Sequence, residues 1–180
     1  MFTKLNTKQI TDIYNTYMVN DFPPDELKPL THILKMVEKG LCTGYALYSE
    51  GRVLSYFTLC QKGEYILVDY LAVNPEMRGQ GIGTKTLESL KELAGNNYIL
   101  IECEDVSATQ NREEQIIRSR RIAFYRRAGF ALTKEKAKLF GVDYVLLTYP
   151  ENTPNPKEGY ASVYLEMLGE EMYNKNMIIK

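Results

Sequence analysis

Apolar residues recur at helical spacing in the first forty residues of the chain. Between Thr7 and Met18 they lie three or four positions apart, which predicts a helix with Thr7 as its N-cap. These residues are Ile10, Ile13, Tyr14, Tyr17 and Met18. A second set from Leu30 to Val37 follows the turn-prone stretch "DFPPDE" and predicts another helix. Gly40 is expected to end that helix in the left-handed conformation.

Three segments after Gly40 have the composition of strands. "YALYS", "VLSYFTLC" and "YILVDYLAV" are rich in aromatic and branched apolar residues, and the short turns "EGR" and "QKGE" separate them. The segments are therefore expected to form an antiparallel meander.

The middle of the chain predicts a strand, a helix and another strand. Leu87, Leu90 and Ala94 share one helix face after Gly83, and the strand-like "YILIECE" follows Gly95. A strand, a crossover helix and a strand form a right-handed parallel unit, so the sheet is expected to be mixed. A further helix over about 116–128 leads to the last two strands, "FALTKE" and "DYVLLTY". The fold class is thus a mixed α+β domain.

The C-terminal region differs in composition from the rest. "YPENTPNPKEGY" contains three prolines and predicts a linker, so we divide the chain into a domain over 1–150 and a tail over 151–180. The tail carries apolar residues at helical spacing, namely Tyr160, Tyr164, Met167, Leu168 and Met172. Such an amphipathic helix either docks on its own domain or forms a homodimer contact or a lid.

Length and charge narrow the classes of partner. A chain of 180 residues, 44% of them hydrophobic, can bury one good core. The formal net charge of −1 lacks the basic excess of a general nucleic-acid binder, so no nucleic-acid partner is expected. No apolar run approaches the ~18 residues of a spanning helix, and the N-terminus lacks the apolar core of a signal peptide. Small molecules and proteins remain as partners.

The cysteines and the single histidine give few candidates for a catalytic or metal-binding site. Cys42, Cys60 and Cys103 are odd in number and lie in apolar runs, which favours reduced core thiols and a cytoplasmic location. His32 lies beside the apolar stripe of its helix, so a surface position is expected. No His, Cys or Asp cluster has the spacing of a metal site, and no metal is predicted.

The glycine-rich stretch "VNPEMRGQGIG" is the strongest candidate for ligand binding. A dinucleotide fingerprint needs a sixth-position glycine, but Thr84 stands there counting from Gly79, and no glycine has the Gly-Lys-Ser/Thr sequel of a P-loop. The remaining pattern is a strand that stops at Asn74, followed by alternate glycines running into a helix. Glycines admit a ligand close to the backbone, and successive N–H groups at a helix N-terminus form an anion nest. A pyrophosphate fits such a nest.

Two motifs carry a resemblance to a known family. "VNPEMRGQGIG" resembles motif A of the GNAT superfamily of acyl-CoA-dependent N-acetyltransferases, with Arg78, Gly81 and Gly83 in the defining positions. "RIAFYRRAGF" is similar to that family's helix-Tyr-x-x-x-Gly-Phe segment, with Tyr125, Gly129 and Phe130 in place. The resemblance covers about 5–149.

The resemblance implies a mostly antiparallel mixed sheet with acetyl-CoA as co-substrate, in a V-shaped opening between two parallel strands. The pantetheine arm would pair with the backbone of Leu71, Ala72 and Val73. The pyrophosphate would bind the loop amides of Arg78, Gly79, Gln80, Gly81, Ile82, Gly83 and Thr84.

The resemblance also implies direct attack of an amine on the thioester. Tyr125 is the candidate to protonate the leaving thiolate, since a phenol is neutral at pH 7, and an N–H near Val73 would stabilise the oxyanion. Asp69 shares a strand face with Leu71 and is the candidate base, with Glu102, Glu104 or a water as alternatives. These carboxylates would favour a cationic amine.

The predicted function is therefore N-acetyltransfer from acetyl-CoA to a primary amine of a small molecule, peptide or protein. A non-catalytic acyl-CoA sensor is the alternative from another class. A toxin-like enzyme acting on charged tRNA is a third, but it requires a basic acceptor surface that the net charge does not indicate.

Overall fold

The computed structural model describes residues 1–180 and contains one eight-stranded sheet with helices. The strands are β1 Thr3–Lys4, β2 Cys42–Ser49, β3 Arg52–Lys62, β4 Tyr65–Val73, β5 Tyr98–Glu104, β6 Ala131–Leu139, β7 Val142–Tyr149 and β8 Met177–Ile179. The helices are α1 Thr7–Ile13, α2 Val19–Asp21, α3 Leu30–Glu38, α4 Ile82–Ala94, α5 Arg112–Arg127, α6 Pro156–Leu168 and α7 Glu170–Asn176. The strand order is β1-β2-β3-β4-β5-β7-β6-β8.

The sheet is mixed, as the sequence predicts. β4 and β5 pair in parallel over three residue pairs, from Tyr65 with Tyr98 to Leu67 with Leu100. The pairs β1–β2, β2–β3, β5–β7, β6–β7 and β6–β8 are antiparallel. The predicted parallel crossover through α4 is thereby confirmed.

The chain divides into two compact units. The first comprises Met1–Cys60 and Asp69–Leu90, and the second comprises Gln61–Val68 and Lys91–Lys180. The core of the first includes Ile33 and Phe57, which are almost completely buried, and that of the second includes Ile99 and Leu146.

The first helix begins one residue earlier than the sequence predicts. Asn6, rather than Thr7, is the N-cap, because its side chain accepts a hydrogen bond from the Gln9 N–H at 2.9 Å. The Gln9 side chain accepts from the Asn6 N–H at 3.0 Å, which completes a capping box. After Ile13 the helix widens into a π-helical stretch, Tyr14–Met18, and closes with α2.

The prediction of reduced thiols is wrong for two of the three cysteines. Cys42 on β2 lies directly opposite Cys60 on β3, with their Cα atoms 4.1 Å apart, and the two form a disulfide. Cys103 is free and buried, as predicted. Spacing along the chain did not indicate the pair, because its proximity comes from the β2–β3 register. The cytoplasmic location stays a prediction.

The tail is packed into the second unit. Tyr160, Val163 and Tyr164 of α6 are completely buried, which favours the helix docked on its own domain over the dimer or lid interpretation. A Cβ added to Gly159 would lie 2.2 Å from the ring of Tyr65, so this turn of α6 lies directly against β4. β8, which the sequence pattern did not predict, pairs with β6. None of the helices combines the length and apolar character needed to span a membrane.

Candidate active site

The glycine-rich loop forms an exposed turn that leads into α4. Asn74 ends β4 and caps a short 3₁₀ helix, Pro75–Met77, by accepting from the Glu76 N–H at 3.1 Å. Gly79 and Gly81 have φ angles of 77° and 79°, a left-handed conformation that disfavours residues with a Cβ. A Cβ at either position would meet nothing within 4 Å, so the glycines are required by backbone conformation rather than by lack of space.

The loop ends at the positive end of a helix. The Gly81 carbonyl accepts from the Lys85 N–H at 3.1 Å, so the amides of Ile82, Gly83 and Thr84 lie in the first turn of α4. First-turn amides have no acceptor within their own helix. Arg78 is exposed, and its Nε lies 3.4 Å from the Val73 carbonyl oxygen. This combination of amides and one guanidinium suits an anion such as a pyrophosphate.

Tyr125 lies in the last turn of α5 with 7% of its surface exposed. Its ring packs edge-on against Phe130, with the centroids 6.0 Å apart. No group of the chain hydrogen-bonds its hydroxyl. Burial, and next the neighbouring Cys103 thiol, raise the pKa of Tyr125 above its ordinary value, while Arg121 opposes the shift. The phenol therefore stays protonated at neutral pH and retains a donor for a ligand.

Asp69 is almost completely buried in the first unit, with a side-chain exposure of 1%. Its Oδ1 accepts from the Lys28 ammonium at 2.6 Å, while its Oδ2 is buried without a hydrogen-bond partner. The segment carrying Lys28 is fixed by two hydroxyls: Tyr70 accepts from the Lys28 N–H at 2.8 Å, and Tyr14 donates to the Lys28 carbonyl at 3.2 Å.

The two alternative carboxylates are both engaged within the second unit. Glu104 forms ion pairs with Arg118 at 2.8 Å and with Arg121 at 3.0 Å. Glu102 accepts from the hydroxyls of Tyr160 and Tyr164, the latter at 2.8 Å. Of the three predicted base candidates, Asp69 is thus the one with a carboxylate oxygen that has no partner.

The sequence did not indicate three of the polar residues described here. Lys28 was not singled out, because its partner Asp69 lies 41 positions away. His32 was expected on the surface, whereas its Nε2 atom is buried without a hydrogen-bond partner. Tyr160 was identified only as part of an apolar helix face, and its hydroxyl contact with Glu102 depends on the docking of α6. No group of three metal-ligating side chains is found.

Comparison with known proteins gives a family match. A sequence profile described as an acetyltransferase (GNAT) domain matches residues 41–132. YjbC of Bacillus subtilis (strain 168), whose name assigns it to the acetyltransferases, is 29% identical over 109 residues, or 61% of this chain. The match spans about half of that relative, 52% of its length.

Solved structures share the fold. A GNAT-family protein from Bacteroides thetaiotaomicron superposes with a TM-score of 0.75 at 21% identity, covering 93% of this chain and 97% of that one. An aminoglycoside 6'-N-acetyltransferase complexed with coenzyme A superposes with a TM-score of 0.58 at 11% identity, covering 82% of this chain and 95% of that one.

Proposed function

Because the chain belongs to the GNAT family of acetyltransferases, we propose that it transfers an acetyl group from acetyl-CoA to a primary amine. The acceptor is a small molecule, a peptide or a protein, and its amine attacks directly in a ternary complex. The observation that carries this proposal is the loop before α4, where two left-handed glycines and an arginine precede the first-turn amides.

The loop residues fit the pyrophosphate of coenzyme A. Gly79 and Gly81 leave the backbone uncovered, since a Cβ at either position would project into open space. A diphosphate can therefore approach the amides of Arg78–Thr84 directly, and the Arg78 guanidinium adds a positive charge. The coenzyme A complex of a solved relative supports the same class of ligand.

The strand before the loop supplies a backbone edge for the pantetheine arm. Leu71, Ala72 and Val73 are half-buried residues at the end of β4, and pantetheine carries amides that pair with main-chain groups in the manner of an added strand. The strand end is held firmly, because the Asn74 N–H donates to the Leu54 carbonyl at 2.9 Å. A main-chain N–H near Val73 would stabilise negative charge on the carbonyl oxygen.

Bound acetyl-CoA supplies the thioester, and Tyr125 supplies the proton for the departing sulfur. The Tyr125 hydroxyl is neutral at pH 7, as any phenol is, and burial raises its pKa further from neutrality. It forms no hydrogen bond with another residue of the chain. A positioned acid of this kind contributes about 10²–10⁴ in rate. Oδ2 of Asp69 is buried without a hydrogen-bond partner, which favours an acceptor that brings N–H donors.

A screen of primary amines with a free-thiol readout tests this function. We expect coenzyme A release that depends on both acetyl-CoA and a specific amine. If the chain binds acetyl-CoA but releases no thiol with a broad panel, it is a non-catalytic acyl-CoA sensor. If it does not bind acetyl-CoA at millimolar concentration, both functions are wrong.

A further inference from the structure

Three polar side chains of the first unit come together where α3 begins. Lys28 immediately precedes Pro29, the N-cap of α3, and His32 lies in the first turn of that helix. The Lys28 ammonium lies 2.6 Å from Asp69 Oδ1, and 16% of the Lys28 side chain is exposed. Lys28 and Asp69 of β4 both act electrostatically on His32 in the first turn of α3, so the three side chains lie in one neighbourhood. We call these three residues the Lys28 cluster.

Two atoms of the Lys28 cluster are buried without a hydrogen-bond partner. They are Asp69 Oδ2 and His32 Nε2, and no other side-chain nitrogen or oxygen of the chain shares this condition. Folded proteins satisfy nearly all their buried polar atoms, so each exception calls for an explanation. Both atoms can accept a hydrogen bond, Asp69 as a carboxylate and His32 as the neutral tautomer protonated on Nδ1.

Burial and the neighbouring lysines keep the His32 imidazole neutral at pH 7. Burial is the largest effect and lowers the pKa of His32 below its ordinary value, and Lys28 lowers it further. Asp69 raises the pKa of His32, while Lys35 on α3 and Lys39 directly after α3 add smaller lowering effects. At pH 7 the ring therefore has one nitrogen lone pair available.

We propose that Asp69 Oδ2 and His32 Nε2 bind the amino group of the acceptor and that His32 accepts the proton this amine must lose. The inference rests on the proposed acetyltransfer and changes the role expected for Asp69 from base to anchor. An ammonium group fits because it offers three N–H donors to two acceptors. An anion is disfavoured by the Asp69 carboxylate, and a metal ion by the presence of only one carboxylate.

The proton passes from the acceptor ammonium to His32 Nε2 in a single step. One N–H bond of the ammonium breaks, its electron pair stays on the nitrogen, and the proton bonds to the lone pair of His32 Nε2. The resulting imidazolium returns the proton to water after the amine has reacted. Asp69 acts as the anchor, because its Oδ1 is already held by the Lys28 ammonium at 2.6 Å and only its Oδ2 is open to the amine.

Proton NMR tests the Lys28 cluster directly, because His32 is the only histidine of the chain. We expect its ring resonances to titrate below the ordinary value of about 6.5. Lys28→Met should raise the His32 pKa, Asp69→Asn should lower it, and Lys35→Met should change it less than Lys28→Met does. A His32 pKa of 6.5 or higher, or one that neither Lys28→Met nor Asp69→Asn moves, would overturn the proposal.

Turnover then tests the proton transfer, using an amine that the wild type accepts. We expect wild-type kcat/KM to fall on the acidic side, below pH 6.5. His32→Gln should reduce kcat about 10²–10⁴-fold and remove this acidic limb. Lys28→Met should move that limb to higher pH, and Lys35→Met should keep wild-type activity. Stabilisation by acetyl-CoA checks that each variant is folded. An active His32→Gln with an unchanged limb would overturn the proposal.

Acetyltransfer and the role of His32 can be tested separately. A wild type that binds acetyl-CoA but acetylates no amine overturns the proposed function, and the proton transfer with it, whatever the NMR titration gives. A wild type that acetylates amines while His32→Gln matches it overturns the role of His32 alone.

Discussion

The second unit contains buried tyrosines of two kinds. They differ in whether the hydroxyl has a hydrogen-bond partner, and this difference distinguishes a candidate catalytic residue from structural ones. Tyr160 and Tyr164 are completely buried, and both hydroxyls donate to the carboxylate of Glu102. Tyr125 is nearly as buried, but its hydroxyl has no partner within the chain. A buried hydroxyl with a partner stabilises the fold, whereas the Tyr125 hydroxyl oxygen is not fully enclosed and is therefore available to a ligand.

The same distinction applies to two carboxylates, each considered within its own unit. Both oxygens of Glu102 receive tyrosine hydroxyls, so this residue joins β5 to α6. Asp69 keeps one buried oxygen without a partner. Satisfaction of hydrogen bonds, rather than residue type or burial, thus distinguishes the residues proposed for function from those that hold the tail in place.

The largest effect is expected for Tyr125→Phe, which removes the hydroxyl and keeps the ring. Turnover should fall about 10- to 10⁴-fold, or about 1.4–5.5 kcal/mol in transition-state stabilisation. The KM for acetyl-CoA and the melting temperature should change little. Tyr164→Phe is the matched control and should keep near-wild-type kcat while losing stability. Equal turnover in wild type and Tyr125→Phe would make Tyr125 a packing residue only.

Glu102→Ala should give the largest loss of stability, because it leaves two buried hydroxyls without their acceptor. The expected cost is about 1–3 kcal/mol for each hydroxyl, measured by urea unfolding. Glu104→Ala is the control, since the Arg121 side chain is 43% exposed and Arg118 keeps Glu114 and the Asp105 carbonyl as partners. If Glu102→Ala unfolds at the wild-type urea concentration, the tyrosine contacts do not hold α6.

Gly159→Ala tests the packing of α6 independently of any hydrogen bond. The added Cβ would lie 2.2–2.5 Å from the Tyr65 ring, which is itself fixed by a hydrogen bond from its hydroxyl to the Pro154 carbonyl at 2.8 Å. Overpacking of this kind costs about 1–3 kcal/mol. Leu165→Ala, on the exposed side of α6, should stay within about 0.5 kcal/mol of wild type. Unchanged stability of Gly159→Ala would contradict the docking.

The smallest effect is a pH dependence of stability caused by His32. Because burial and Lys28 lower its pKa in the folded state, the unfolded chain binds more protons just below pH 6.5. The contribution of His32 to stability is therefore present at pH 7 and is lost as the pH falls through the unfolded and then the folded pKa. Between pH 7 and pH 5 the free energy of unfolding should therefore fall more for wild type than for His32→Gln. Parallel curves would contradict a lowered pKa.

Local patterns predicted most of the fold. The helical spacing of Leu87, Leu90 and Ala94 placed α4, and the alternating glycines placed the loop before it, because both depend on neighbours in sequence. The edge strands β1 and β8 were missed, since they are short and form only by pairing with distant strands. The Cys42–Cys60 disulfide was missed for the same reason.

The candidate site was predictable where it depends on a continuous motif. Arg78, Gly81 and Tyr125 were found in this way, and their roles remain proposals. Lys28 and Glu102 were not interpretable from sequence alone, because their partners lie 41 and 62 residues away. Whether a carboxylate is free to act depends on such long-range contacts, and no local pattern encodes them.

Binding of acetyl-CoA, measured as a rise in melting temperature, tests directly whether the loop before α4 holds the pyrophosphate of coenzyme A. At about 100 times Kd a ligand specific for the native state adds about 2.7 kcal/mol, and wild type should show this while Gly81→Val should not. Gly51→Val is the matched control, because Gly51 has a similar φ of 76° and open space but lies in the β2–β3 turn. Acetyl-CoA should therefore stabilise wild type and Gly51→Val but not Gly81→Val. No shift in wild type at millimolar acetyl-CoA, or an equal shift in Gly81→Val, would contradict this prediction.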